Sequence, residues 1–104
     1  MIVEERIYTL EVGKAPEFLR LYEQEGLAIQ TPILGNLIGY FSSEIGELNL
    51  IVHMWGYESF EERTRRRAEL MADAGWQAFV AKVRPLVLRQ ENRILVPAPF
   101  SPIR

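Results

Sequence analysis

The chain predicts an α+β fold of the ferredoxin-like kind: a βαββαβ sandwich whose antiparallel sheet carries its helices on one face. Three observations lead there. Stretches rich in β-branched and aromatic residues alternate with stretches whose apolar residues recur every three or four positions, in the order β-α-β-β-α-β. A short Gly-containing turn, Ile45-Gly46-Glu47, joins the two central strands directly, so those strands pair antiparallel. The segment Asn49–Arg67 runs as an apolar strand through a turn into a capped helix, which ties the sheet to its helical layer. At 104 residues the whole chain, 1–104, is a single domain, with 97–104 as an extended Pro-rich tail.

Ile2–Leu10 is the first strand, with Val3, Ile7 and Thr9 on one face and Arg6, Tyr8 and Leu10 on the other. Pro16 suits the first turn of a helix, where its missing N–H is unpaired anyway. Ala15, Phe18, Leu19 and Tyr22 then form an apolar stripe widened by Leu21. This helix is expected to fade in the Glu25–Gln30 region, weakened by Gly26 and finished before Pro32. Leu37–Glu44 reads as the second strand, with Gly39 marking a bulge or a close backbone approach. Tyr40 and Phe41 alternate, so one of them points inward.

Leu48–Tyr57 is the third strand. Leu50, Val52 and Met54 share one face and are expected to hold the helices. Asn49, Ile51, His53 and Trp55 share the other, expected to face a second subunit or a cavity between sheets. Ser59 and Glu62 form a capping box that opens a helix over Phe60–Ala72, with an inward stripe of Phe60, Thr64, Ala68 and Met71. Asp73-Ala74-Gly75 interrupts it. Trp76, Phe79, Val80 and Val83 mark a further short helix that Pro85 stops, and Leu86–Val96 is the last strand.

Composition excludes several function classes. Apolar residues at 48% and charged residues at 25% are those of a soluble globular domain. Twelve basic residues against 14 acidic ones leave a net charge of −2, which offers no field for nucleic acid or an anionic membrane. With no cysteine and one histidine, thiolate nucleophiles, disulfides and Cys- or His-rich metal sites are absent, so neither a metal nor a cofactor is expected. No apolar run approaches the roughly 20 residues of a membrane span. Met1–Leu10 shows neither secretory nor transit-peptide features, and a cytoplasmic location is expected.

Helices cover one face of such a sheet, yet the third strand is apolar on both faces and no residues remain to build another layer. The expected partner is therefore a second copy of the chain, packed sheet to sheet about a two-fold axis.

Within Leu34–Arg67 stand Leu37-Ile38-Gly39-Tyr40-Phe41, Glu44-Ile45-Gly46, Leu48-Asn49, His53-Met54-Trp55-Gly56-Tyr57 and Arg63. These residues resemble the signature region of the NIPSNAP family. Arg6-Ile7-Tyr8 with Gly13-Lys14, and Arg93-Ile94-Leu95, carry the resemblance over nearly the whole chain. The resemblance implies the dimeric α/β-barrel arrangement of ferredoxin-like domains. It implies little about chemistry, because the family has no agreed catalytic role. Eukaryotic members are mitochondrial and tied to organelle interactions, whereas this chain resembles the short bacterial type.

His53, near neutral in its ordinary titration, is the candidate catalytic acid or base, against the plainer reading of a hydrogen-bonded packing histidine. Tyr8, Tyr40 and Trp55 are candidates for an aromatic ligand pocket, or for core packing. Arg6 and Asn92, with Arg89, Glu91 and Arg93, are polar residues on sheet strands, able to bind a carboxylate or enolate or to form structural ion pairs. Arg63 and Arg65-Arg66-Arg67 are balanced by Glu61, Glu62 and Glu69 and read as a solvated, paired face. Two functions follow. One is a protein that binds a small, partly apolar organic molecule, with cofactor-independent oxygenase or isomerase chemistry. The other is a non-enzymatic interaction protein whose interior is solid.

Overall fold

The computed structural model describes all 104 residues, Met1–Arg104. Strand β1 (Ile2–Leu10) is its spine, flanked on one side by β3 (Leu50–Tyr57) and on the other by β4 (Val87–Leu95). Strand β2 (Asn36–Ser42) completes an antiparallel sheet of order β2-β3-β1-β4, the expected βαββαβ arrangement. Registry breaks between Leu37 and Gly39, which places a bulge at the glycine that predicted one. The link between β2 and β3 is longer than a tight hairpin turn. It spans Ser43–Asn49 and turns on Gly46 and Asn49, both with positive φ. The Asn49 side chain accepts from the Gly13 amide at 3.0 Å, and its carbonyl accepts from Leu10 N–H at 2.8 Å, which fastens the end of β1 to the start of β3.

The first helical region is α1 (Ala15–Leu21), a π-helical turn (Tyr22–Gly26) and α2 (Leu27–Leu34). It outlasts the expected end and carries Pro32 inside its last turn. Pro32 forfeits only the bond its own N–H would make one turn back, and Gly35, at φ 94°, ends the helix just beyond it with its N–H on the Thr31 carbonyl at 2.8 Å. Gly26 serves close packing: a Cβ at that position would lie 2.8 Å from the Tyr22 ring and 3.1 Å from that of Phe79. The second region divides as expected into α3 (Phe60–Ala72) and α4 (Ala74–Val83), followed by a 3-10 turn (Arg84–Leu86). Ser59 Oγ accepts from Glu62 N–H at 3.1 Å, while the Glu62 carboxylate reaches the amide of Glu58, one residue before the cap. Asp73 caps α4 through Trp76 N–H at 2.8 Å.

All helices lie on one face, and the expected assignment of the β3 faces is reversed. Ile51, His53, Trp55 and Tyr57 are buried in the core with Leu10, Phe18, Leu70 and Phe79, whereas Leu50, Val52 and Met54 are only partly covered on the open face. Alternation alone sets which residues share a face but not which face meets the helices. Phe41 joins the open face, 54% exposed, while Tyr40 turns in against the core.

The inner face of α3 also differs from expectation. Phe60 and Met71 are about half exposed and Thr64 and Ala68 exposed, while Leu70 is fully buried and Arg63, Arg66 and Arg67 are partly so. The reason lies below the helix: Glu4 on β1 has no solvent exposure and needs cationic partners. The arginines that read as a solvated face are in part an inward one, and only Arg65 of the run points fully to solvent. Val96–Arg104 forms no helix or strand, and Phe100 in it is 88% exposed. No helix is long and apolar enough to cross a membrane.

Candidate functional site

A partly open cavity of about 500 Å3 lies between the sheet and the helices of a single chain, rather than between two sheets. Its floor is Tyr8 from β1, Tyr40 from β2 and His53 from β3; Phe18, Tyr22, Trp76, Phe79 and Val83 supply its helical wall, and Arg84 with Arg89 stands at its lining near β4. The geometry follows from alternation. His53 pairs with Tyr40 on one neighbouring strand and with Arg6 on the other, so these side chains rise on the same face. Phe18 of α1, Tyr22 of the π-helical turn and the α4 stripe at Trp76, Phe79 and Val83 close over them.

Aromatic stacking orders the floor. Tyr40 stacks on His53 at 4.6 Å and on Tyr22 at 4.5 Å, with interplanar angles of 19° and 22°. Tyr8 meets His53 edge to face at 5.0 Å. The Tyr22 hydroxyl donates to Gln30 Oε1 at 2.7 Å. Burial pushes the Tyr22 and Tyr40 hydroxyls well above the ordinary phenol range, so both stay protonated.

His53 has a defined protonation state. Trp55 Nε1–H donates to His53 Nδ1 at 2.7 Å in a buried bond. Nδ1 therefore carries no proton, and the neutral ring holds its hydrogen on Nε2. Burial, reinforced by the Arg6 charge and opposed by Glu4, lowers the His53 pKa from 6.5 to about 3. At neutral pH His53 is an uncharged N–H donor, and Nε2 finds no partner. Trp76 Nε1 is a second buried N–H without one. Both residues line the cavity, although both atoms are sealed from solvent, so a ligand oxygen reaches them only as a neighbouring ring gives way.

The remaining predicted site residues lie elsewhere. Trp55 is wholly buried behind His53 and orients it without lining the cavity. Arg6 and Asn92 belong to a charged cluster around Glu4. The Glu4 carboxylate accepts from Arg63 Nε and Nη2 at 3.0 and 2.7 Å, from Arg6 Nη1 at 3.0 Å and from Asn92 Nδ2 at 2.7 Å. Burial would raise the Glu4 pKa, but the hydrogen bonds from Arg63 and Asn92 and the charges of Arg6 and Arg63 outweigh it and hold it at about 2. Arg6 Nε also donates to the Tyr8 hydroxyl at 3.2 Å, which links the cluster to the cavity floor. Arg93 pairs with Glu5 at 2.8 Å and Arg89 with Glu91 at 3.8 Å.

Sequence reasoning missed the helical wall of the cavity and missed Glu4. The apolar stripes of α1 and α4 named the wall residues without saying that they stop short of the floor. Glu4 stands on a strand that mixes charged with apolar residues, and nothing local along it marks a buried carboxylate. No group of three or more acidic or histidine side chains is placed to hold a metal ion.

Comparison with known proteins places this geometry in a family. The NIPSNAP profile matches residues 3–102. The chain is 32% identical to human Protein NipSnap homolog 2 across 99% of its own length and 34% identical to human Protein NipSnap homolog 3A across 93%. It spans 35% and 39% of those two proteins, well under half of either. A crystal structure of a NIPSNAP family protein from Agrobacterium tumefaciens is 54% identical, with a TM-score of 0.96 over 99% of this chain and 98% of that one. A NIPSNAP-like domain protein from Burkholderia xenovorans is 56% identical, with a TM-score of 0.95 over 97% and 88%. At the level of fold alone, a proposed antibiotic biosynthesis monooxygenase from Nitrosomonas europaea superposes with a TM-score of 0.68 at 10% identity, over 93% and 98%. The four-stranded antiparallel sheet, the helices on one face and the sequence match from strand β1 to the tail together make this chain a member of the NIPSNAP family.

Proposed function

We propose that this protein binds a flat, partly apolar organic molecule bearing a carbonyl or phenol oxygen in the cavity between its sheet and its helices. The carrying observation is the unpartnered His53 Nε2–H in the cavity floor, fixed in tautomer by Trp55. A buried donor without a partner costs about 1–3 kcal/mol, which a ligand acceptor recovers on binding. The volume of about 500 Å3 suits a ligand of drug size and speaks against the solid interior of a pure interaction protein. Tyr22 and His53, which hold Tyr40 stacked between them, offer the ligand their outer aromatic faces.

In this reading His53 acts as a neutral hydrogen-bond donor rather than as the acid or base its type suggested. An imidazole N–H directed at a carbonyl or phenolate oxygen stabilises an enolate, which is what cofactor-independent oxygenase or isomerase chemistry needs. Tyr8 and Tyr40 are binding residues, Trp55 is a positioning residue, and Arg6 and Asn92 support the floor through Glu4 and Tyr8. The protein works as a pair of copies. The open sheet face carries Ile7, Leu50, Val52, Met54 and Phe41 with no layer of its own over them, and a second copy covers them. The reading keeps a cytoplasmic setting, supported by the cysteine-free composition.

The test is thermal shift, tryptophan fluorescence and oxygen uptake against a panel of quinones and polycyclic phenols, with His53→Phe alongside the wild type. A panel member should stabilise the wild type and bind His53→Phe at least about 10-fold more weakly, the loss of one well-made hydrogen bond. The absence of any shift across the panel, or equal binding by the two proteins, overturns the reading. For the pairing, sedimentation should give twice the chain mass, and Val52→Asp should halve it; a wild-type mass of one chain at all concentrations sinks it.

A further inference from the structure

No carboxylate lines the cavity between the sheet and the helices. The chain has 14 acidic residues against 12 basic ones, yet none of the 14 reaches that lining. In its depth stand two buried N–H groups without a partner, His53 Nε2 and Trp76 Nε1. Gln30 lines it too, and because the Tyr22 hydroxyl takes its Oε1, the amide nitrogen is the group left over. The charged lining residues are Arg84 and Arg89, both exposed and so at the mouth. Arg89 leans toward Glu91 at 3.8 Å, and Lys82, two residues before Arg84, pairs with Glu25 at 2.5 Å. Arg84, at the C-terminal end of α4, is the cation between them that has no carboxylate within 4 Å. Trp76 opens the same helix, and at a rise of about 1.5 Å per residue it lies about 12 Å from Arg84 along the axis. The cavity therefore runs the length of α4, with neutral donors inside and a free guanidinium at the rim.

We propose that the ligand of this cavity is an organic acid anion: a flat carboxylic acid whose carboxylate pairs with Arg84 at the mouth while a carbonyl or phenol oxygen at its other end meets His53 in the depth. This deepens the small-molecule reading given above and rests on it. A guanidinium presents parallel N–H donors that match the two oxygens of a carboxylate, and Arg84 has no acid of its own to compete for them. A cationic ligand would find no carboxylate anywhere along the lining, and a charge taken from water without a partner is costly. A ligand oxygen, by contrast, meets donors at both ends of the cavity. The division of labour follows from exposure. A carboxylate keeps part of its hydration at the rim, where Arg84 is exposed, whereas the uncharged oxygen enters the dry end, where His53 and Trp76 are buried. Arg84 is thus a specificity residue for acids over their neutral counterparts.

The experiment measures, by calorimetry on the full chain at pH 7, the affinity of two matched pairs of probes: 6-hydroxy-2-naphthoic acid with its carboxamide, and anthraquinone-2-carboxylic acid with its carboxamide. Within a pair the flat body and the far oxygen are the same, and only the charge at one end differs. At least one acid should bind about 10-fold or more tightly than its amide, as a hydrogen-bonded charge pair requires. Arg84→Gln should remove that preference by weakening the acid about 10-fold while leaving the amide unchanged, which also shows that the variant is folded. Arg65→Gln, which removes the same charge from the exposed side of α3, should keep the preference. His53→Phe should weaken acid and amide alike. Equal binding of acid and amide by the wild type, or a preference that survives Arg84→Gln or falls equally with Arg65→Gln, overturns the assignment of an acid while the cavity remains a binding site. If neither member of either pair binds, the small-molecule reading falls and this inference with it.

Discussion

The helix-facing surface of the sheet holds two buried polar regions, side by side, that treat burial in opposite ways. Around Glu4 the interior keeps a charge and satisfies it with four hydrogen bonds from Arg63, Arg6 and Asn92. Around His53 the interior has expelled the charge and left one donor unused. Arg6 and His53 are register partners on adjacent strands, so backbone position does not separate the two regions. What separates them is the layer above: arginines of α3 over Glu4, aromatic rings of α1 and α4 over His53. Ionic saturation makes the first region a fastening between helix and sheet. Neutrality and an unmet donor make the second receptive to a ligand.

The comparison is sharpest where the fastening is cut. Glu4→Gln removes the one carboxylate and leaves Arg63 and Arg6 partly buried without it, which should destabilise the fold by about 3–5 kcal/mol in urea unfolding. A loss under about 1 kcal/mol would show that the cluster is not the fastening described.

Acid should release the two regions in different pH windows. His53 is lowered from 6.5 to about 3, so the unfolded chain binds its proton first; the stability tied to its neutrality is complete above pH 6.5 and drains as pH falls toward 3. Glu4 is lowered from 4.5 to about 2, so its contribution is complete above pH 4.5 and drains toward pH 2. His53→Phe should therefore flatten the stability profile between about pH 6.5 and 4.5, where Glu4 is still ionised in both states, while Glu4→Gln should flatten it below. Identical profiles for the two variants would dissolve the distinction.

Trp55→Phe should cost about 1–3 kcal/mol by stripping His53 Nδ1 of its donor. NMR of the imidazole nitrogens should show a single Nε2–H tautomer in the wild type and a mixture in the variant. The smallest effect is expected at Arg65→Gln, within about 0.5 kcal/mol of the wild type, against a clear loss at Arg63→Gln on the inner side of the same helix.

How far these regions were legible in advance varies by residue. The Trp76, Phe79, Val80 and Val83 stripe read correctly, because helical periodicity is a local property. The stripe on α3 did not, because Phe60, Thr64, Ala68 and Met71 were chosen on hydrophobicity, and the inward face is set by a carboxylate some sixty residues away in the chain (the Arg63–Glu4 pairing spans 59). Tyr8, Tyr40 and His53, singled out from the sequence as candidates, line the cavity. Trp55 belonged behind it and Arg6 and Asn92 beside it, distinctions of depth that a period-two pattern does not carry.

Taken alone, the amino-acid sequence determined the order of elements, the strand faces as sets, the capping of α3, the stop at Pro85 and the family, since each depends on residues near one another along the chain. Only the tertiary structure decided which face of β3 meets the helices, that Pro32 is absorbed into the last turn of α2, that Glu4 draws arginines inward, and that His53 is neutral with its Nε2–H unclaimed. Each of those depends on what is packed above a residue, and burial and charge act through space.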